Sequence, residues 1–176
     1  MNKAPLPRYI SFTYSHRRLR IFFEILSPVL VILTAVSFIA YTVYLAHFSV
    51  WRAIGLAVIA LVPYVFVTLF RRWFDAPRPS ELYDFSGIPE ELHPKKRGRS
   101  FPSRHVFSAF VIGVALSFVH LYLGIAVMLF GLFLAAFRVL LGIHFVRDVV
   151  AGALIGIVSG ILGTLIVNYG ILPIFN

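Results

Sequence analysis

Phe137-Arg138-Val139-Leu140-Leu141-Gly142-Ile143-His144-Phe145-Val146-Arg147-Asp148 is a brief polar break in a sequence that is otherwise almost continuously apolar from Phe101 to Asn176. Charges inside apolar segments are costly, so they collect where a chain leaves hydrocarbon. A helix needs ~20 apolar residues to cross ~30 Å of bilayer core. The break therefore separates two spans, 125–141 and 149–167, and a shorter turn at 120–124 sets off a third at 107–119.

Upstream, residues 21–48 and 51–70 are each long enough to cross, with a kink expected near Pro28. Residues 71–104 between them and the apolar half are polar and rich in turn formers, and read as a loop. The sum is an all-α polytopic membrane helix bundle of about five transmembrane helices. Composition agrees. Hydrophobic residues make up 60% and charged residues 13%, with mean hydropathy +0.90. An average soluble domain is about 45–50% apolar and about 25% charged. A soluble globular chain and a disordered one are both excluded. There are no cysteines, so disulfides and thiolate chemistry are excluded too.

With 176 residues the chain reads as one domain. Residues 1–20 form a basic interfacial segment, and 21–176 a single transmembrane unit whose loop 71–104 carries part of the site. No apolar run and small-residue cleavage site follow Met1, so a secretory signal is not expected. The stretch 6–20 reads either as surface-lying, anchored by Tyr9, Phe12 and Tyr14, or as an unstructured basic tail. Gly152, Gly156 and Gly160 repeat the G-x-x-x-G spacing that lets helix backbones approach closely. Packing inside one bundle is favoured over dimerisation.

Net charge is +9. The bases are too few and too segregated for nucleic acid, and an anionic lipid or substrate fits better. With five spans, the N-terminal tail, the 71–104 loop and the 142–148 turn share one membrane face. That face holds every lysine and arginine of the 16 except Arg52. The positive-inside rule favours a cytoplasmic location for it.

Three clusters meet at that face. Arg71-Arg72-Trp73-Phe74-Asp75-Ala76-Pro77-Arg78-Pro79 lies where the second span exits. Phe101-Pro102-Ser103-Arg104-His105 opens the third. Arg138, His144 and Asp148 flank the last turn. Arginine forks suit phosphate oxygens, and a helix start at 103–105 adds backbone donors. His144 and Asp148 are four apart, so they share a face if the helix has begun by His144. An acid holding one imidazole nitrogen leaves the other free to react. Two histidines suit a nucleophile and a general acid. These residues point to phosphoryl transfer at a membrane surface.

The clusters resemble the three motifs of the type 2 phosphatidic acid phosphatases, or lipid phosphate phosphatases, which share a fold with vanadium haloperoxidases. The family pattern K-x6-R-P reads here Arg71-x6-Arg78-Pro79. P-S-G-H reads Pro102-Ser103-Arg104-His105. S-R-x5-H-x3-D reads Phe137-Arg138-x5-His144-x3-Asp148. The departures are arginine for lysine, arginine for glycine and phenylalanine for serine. Relatives commonly have six spans against the five expected here, so the resemblance leads one to expect a missing span near the N-terminus.

The resemblance implies a fold and a set of roles. His144 is the nucleophile that forms a phosphohistidine, Asp148 orients it, and His105 protonates the leaving group. Arg71, Arg78, Ser103 and Arg138 hold the phosphoryl oxygens. Arg104 is a further phosphate contact or points to the headgroup. The implied enzyme is a metal-independent membrane phosphatase with no cofactor. It would act on phosphatidate, phosphatidylglycerophosphate or a polyprenyl mono- or pyrophosphate. Relatives mostly work on the extracytoplasmic side, against the charge count. A non-catalytic anion-binding or transport protein is the alternative, although no polar pathway crosses mid-membrane. Haloperoxidases are chiefly soluble, which sets that activity aside.

Outside the motifs, Arg72, His47 and His120 read as interfacial residues. Glu24 is a candidate partner for a loop arginine. The run Lys95-Lys96-Arg97-x-Arg99 reads as a headgroup-facing surface or as a guide for an anionic substrate.

Overall fold

The structure, a computed structural model, describes residues 3–171. Apart from one bridge between Ala4 and Tyr83, every regular element in that range is helical. The helices are α1 (Arg8–Ser15), α2 (Arg17–Phe48), α3 (Val50–Phe74), α4 (Pro79–Leu82), α5 (Arg104–Ser117), α6 (Leu121–Leu140) and α7 (Val146–Leu165). A wider-wound stretch, Ile166–Ile171, continues α7.

Four of them, α2, α3, α6 and α7, are long and apolar enough to cross a membrane. Their outward faces carry exposed aliphatics such as Ile25, Ile32, Val36 and Ile39 on α2. In water such a surface would be prohibitive, and in lipid it is the solvent-facing side. The remaining apolar helix, α5, differs. Its 14 residues rise only ~21 Å. Val106, Phe107, Ala109, Val111 and Leu116 are all but fully buried. A helix that is hydrophobic all round belongs in a core. The expected third span is therefore a short central helix wrapped by α3, α6 and α7.

The glycines explain how closely α7 approaches it. A Cβ at Gly152 would sit 2.7 Å from the Ser103 carbonyl oxygen, and one at Gly156 2.7 Å from that of Phe107. At Gly160 it would meet Val114 at 2.7 Å. The G-x-x-x-G face packs inside the bundle, against α5.

Several boundaries move for identifiable reasons. Helix α3 runs four residues past 70, because no breaker intervenes before Asp75, which closes it in a left-handed conformation (φ 37°). Arg71 is thereby on a helix and not in the loop. The turn expected at 120–124 shortens, since the His120 side chain accepts from the Leu123 N–H and starts α6 early. Gly142, at φ +64°, ends α6; a side chain there would press on Phe85 and Ile10. Glu24 pairs with Arg20 of its own helix at 2.8 Å, not with a loop arginine.

The N-terminal residues fold onto the loops of the same face. Ile10 and Thr13 of α1 are buried, and the Tyr14 hydroxyl lies within hydrogen-bond distance of the Leu92 and Leu141 carbonyls. Ala4 exchanges backbone hydrogen bonds with Leu82 and Asp84.

Candidate active site

Helix α7 starts at Val146, two residues after His144. The His144–Asp148 pair is therefore not a helix-face pair, as expected for a helix begun by His144, but one across a helix start. Asp148 sits in the first turn and reaches back, accepting from the Phe145 N–H at 3.0 Å. Its Oδ2 also accepts from the Ser100 hydroxyl and lies 3.4 Å from His144 Nδ1. Both partners are buried, His144 at 3% exposure and Asp148 at 0%. A carboxylate can only accept, so Nδ1 carries the proton and Nε2 keeps its lone pair. Burial, ahead of the hydrogen bond donated to Asp148 and the charges of Arg78 and Arg138, sets the balance. It pushes the His144 imidazole down to about 4.

The turn that presents His144 is closed by two backbone bonds. The N–H groups of Ile143 and His144 both donate to the Arg138 carbonyl, at 3.0 and 3.1 Å. Across the cleft, the Ser103 N–H donates to the Asp148 carbonyl at 2.8 Å. This bond ties the first turn of α5, with Arg104 and His105, to the first turn of α7. His105 is within electrostatic reach of His144, Arg138, Arg104 and Lys96.

The arginines divide into two kinds. Arg71 is buried and donates to the backbone carbonyls of Arg99, Ser100 and Pro102. Arg78, also buried, donates to Gly98 at 2.9 Å and to Ile143 at 2.9 Å. These two guanidiniums brace the loop against α3 and the His144 turn. Arg138 differs, since its Nε is buried without a partner, as is the Ser103 hydroxyl. No hydrogen bond or ion pair engages Arg104 among the described residues. The uncommitted donors are therefore Arg138, Ser103 and Arg104.

Every residue singled out in the three motifs is thus brought to one end of the bundle. Phe137, where the family pattern has serine, stays out of the site. It stacks on Phe23 at 4.7 Å between α6 and α2. Arg72 is exposed, as is Arg147, whose guanidinium lies over the Phe145 ring and 3.7 Å from Asp148 Oδ1.

Three participants escaped the sequence reading or were left undecided by it. Ser100, fully buried, bridges Asp148 and His144. Its only signal is a small polar residue just before Phe101-Pro102. Glu81 accepts from the N–H groups of Arg78 and Gly98, both at 2.8 Å. Arg78-Pro-Ser-Glu81 has the capping-box spacing that could have revealed it. Lys96, from the basic run, sits in the field of Arg138, Arg78, Arg104 and Arg71. Partial burial first, and then those four charges, hold its ammonium below the usual lysine range.

A largely apolar cleft of about 440 Å³ opens from this site between α2, α3, α5 and α6. Arg104, His105 and Ser108 line one end; Phe38, Ile39, Leu61 and Ile112 line its body.

Residues 52–171 match the PAP2 superfamily. The chain belongs to that superfamily. Among solved structures, the PAP2 chain described here is similar to the crystal structure of Aquifex aeolicus LpxE. The TM-score is 0.65 with 28% sequence identity, over 84% of this chain and 86% of that one. No match is found among curated proteins. The PAP2 match and this likeness support a lipid phosphatase, a hydrolase held in the membrane by several helices.

Proposed function

We propose that this PAP2 protein hydrolyses the terminal phosphoryl group of a lipid phosphomonoester or diphosphate through a phosphohistidine. The substrate class comprises phosphatidate, phosphatidylglycerophosphate and polyprenyl phosphates. One observation carries the lipid part of this reading. The apolar cleft has Arg104 and His105 at one end, so a hydrocarbon tail lying in it delivers its head to the histidines.

In the first step His144 Nε2 attacks phosphorus. The bond to the leaving oxygen breaks, its electron pair stays on that oxygen, and His105 supplies the proton. Asp148 holds Nδ1 and stabilises the imidazolium character that develops. In the second step water attacks phosphorus. Orthophosphate leaves, His105 takes up the water proton, and His144 is restored. Arg138 and Ser103 donate to the equatorial oxygens, whose charge is largest in the transition state. Arg71 and Arg78 add their field while bracing the loop.

The arginine charges offset the phosphoryl charge, a role a divalent ion fills in other phosphoryl-transfer sites. A single acid, Asp148, is a poor donor set for a cation that wants several oxygens. Turnover should therefore persist in excess EDTA.

The test is phosphate release by the purified chain from a panel of lipid phosphates in detergent. His144→Ala serves as the blank, with EDTA and vanadate arms. Release from at least one lipid phosphate is expected, abolished in the blank and inhibited by vanadate, which mimics the transferring group. Turnover by His144→Ala within tenfold of wild type would overturn the nucleophile. Loss in EDTA restored by magnesium would overturn the metal-free mechanism.

A further inference from the structure

From its position between the apolar cleft and the His144 seat, we infer that Arg104 binds a second anionic group on the substrate, the inner phosphate of a lipid diphosphate. This inference rests on the phosphatase reading above and narrows its substrate.

Order along the molecule is the first argument. Arg104 and His105 line the end of the cleft, whose body is aliphatic and aromatic. The next turn of structure is the His144 seat, because the Ser103 N–H is bonded to the Asp148 carbonyl. Passing from cleft to seat, the protein presents apolar surface, then Arg104, then His144 with Arg138. A lipid diphosphate presents tail, inner phosphate and terminal phosphate in the same order. A simple lipid monophosphate such as phosphatidate or a polyprenyl phosphate has only an ester oxygen beside its terminal phosphorus, and that oxygen needs no guanidinium.

Commitment of donors is the second. Arg71 and Arg78 spend their N–H groups on backbone carbonyls. Arg138 and Ser103 remain for the transferred phosphoryl group. Arg104 is a further guanidinium with no carboxylate partner among the described residues.

Charge is the third. Arg71, Arg78, Arg104, Arg138 and Lys96 converge here, while the nearby acids are Asp148, engaged by Ser100 and Phe145, and Glu81, engaged by the backbone. A monophosphate brings about −1.5 to −2 at neutral pH. The additional phosphate of a diphosphate brings the further negative charge that this excess of cations accommodates. The chemistry then changes in one respect. His144 attacks the terminal phosphorus, the bond to the bridging oxygen breaks, and its pair remains on the departing lipid monophosphate. Arg104 stabilises the charge that develops there, so proton donation by His105 matters less.

The experiment compares a polyprenyl diphosphate with the monophosphate of the same chain, so that only the head differs, using the full chain in mixed micelles. Wild type is expected to favour the diphosphate in kcat/KM by about tenfold or more, the scale of one charge-assisted hydrogen bond. Arg104→Gly and Arg104→Gln should each lower that preference about tenfold, and Arg104→Lys should retain part of it. Two different replacements guard against a local fault in the start of α5, and the diphosphate/monophosphate ratio is insensitive to the fraction folded. A ratio unchanged within twofold in both variants would overturn the assignment, as would a wild-type preference for the monophosphate. Hydrolysis of other lipid phosphates but not the diphosphate overturns this inference alone. Hydrolysis of none overturns the phosphatase reading beneath it.

Discussion

The nucleophile role proposed for His144 requires a neutral imidazole, and burial favours that form. An unfolded histidine takes a proton near pH ~6.5. In the folded chain burial pushes that event down to about 4. Between those values the unfolded state binds the extra proton, so stability falls as pH drops through the window. Melting temperature in detergent should decline from pH 6.5 toward 4 in wild type. His144→Asn, which takes no proton there, should decline less. Parallel curves would show that His144 does not titrate in that range. The neighbouring cation makes a separate prediction. Arg138 has a buried Nε with no partner among the described residues, so Arg138→Ala should lower kcat by ~10²–10³ while leaving the melting temperature nearly unchanged. An unaltered kcat would remove Arg138 from the phosphoryl seat.

The α5–α7 seam turns helix packing into site geometry. Gly152 lets α7 touch the Ser103 carbonyl, and Ser103 is in turn bonded to Asp148. Anything that spreads this seam separates His105 from His144. Gly156→Ala places a methyl 2.7 Å from the Phe107 carbonyl oxygen and 2.9 Å from the Phe110 Cβ. Such overpacking costs about 1–3 kcal/mol and should lower both melting temperature and turnover. Gly87→Ala, with nothing within 4 Å of the new methyl, is the matched control and should change neither. If Gly156→Ala behaves like Gly87→Ala, the close approach is not structural. The glycine spacing was legible in the sequence because small residues four apart have one geometric meaning on a helix. The shortness of α5 was already visible in the 107–119 reading; that its neighbours enclose it was not, since hydropathy alone does not show which apolar helix the others cover.

The alternation of the helices collects the basic residues at one end of the bundle. The starts of α2, α5 and α7 and the ends of α3 and α6 lie at the site end, together with the folded N-terminal residues. Every lysine and arginine except Arg52 therefore gathers there. Setting aside Arg71, Arg78, Arg104 and Arg138 as site residues leaves the asymmetry in place. The proposed orientation is a site facing the cytoplasm. Ser86 is exposed in the site-side loop, and the chain has no cysteine of its own. A Ser86→Cys chain should resist a membrane-impermeant thiol reagent in intact cells and react once they are permeabilised. Labelling in intact cells would place the site outside.

Composition and motif spacing were enough for a membrane helix bundle, and they pointed to Arg71, Arg78, Ser103, Arg104, His105, Arg138, His144 and Asp148 as the proposed phosphate-seeking site. Those conclusions need only the cost of charge in hydrocarbon and the chemistry of the side chains. The tertiary structure alone decided which of those cations brace and which remain uncommitted. Arg71 and Arg78 satisfy backbone carbonyls that the sequence does not pair with them, while the Arg104 and Arg138 side chains satisfy none among the described residues. It also brought Ser100 and Glu81 to the site across 48 and 17 residues of chain. Long-range hydrogen bonds of this kind leave no periodic trace, because they depend on where a loop returns and not on what lies beside it in sequence.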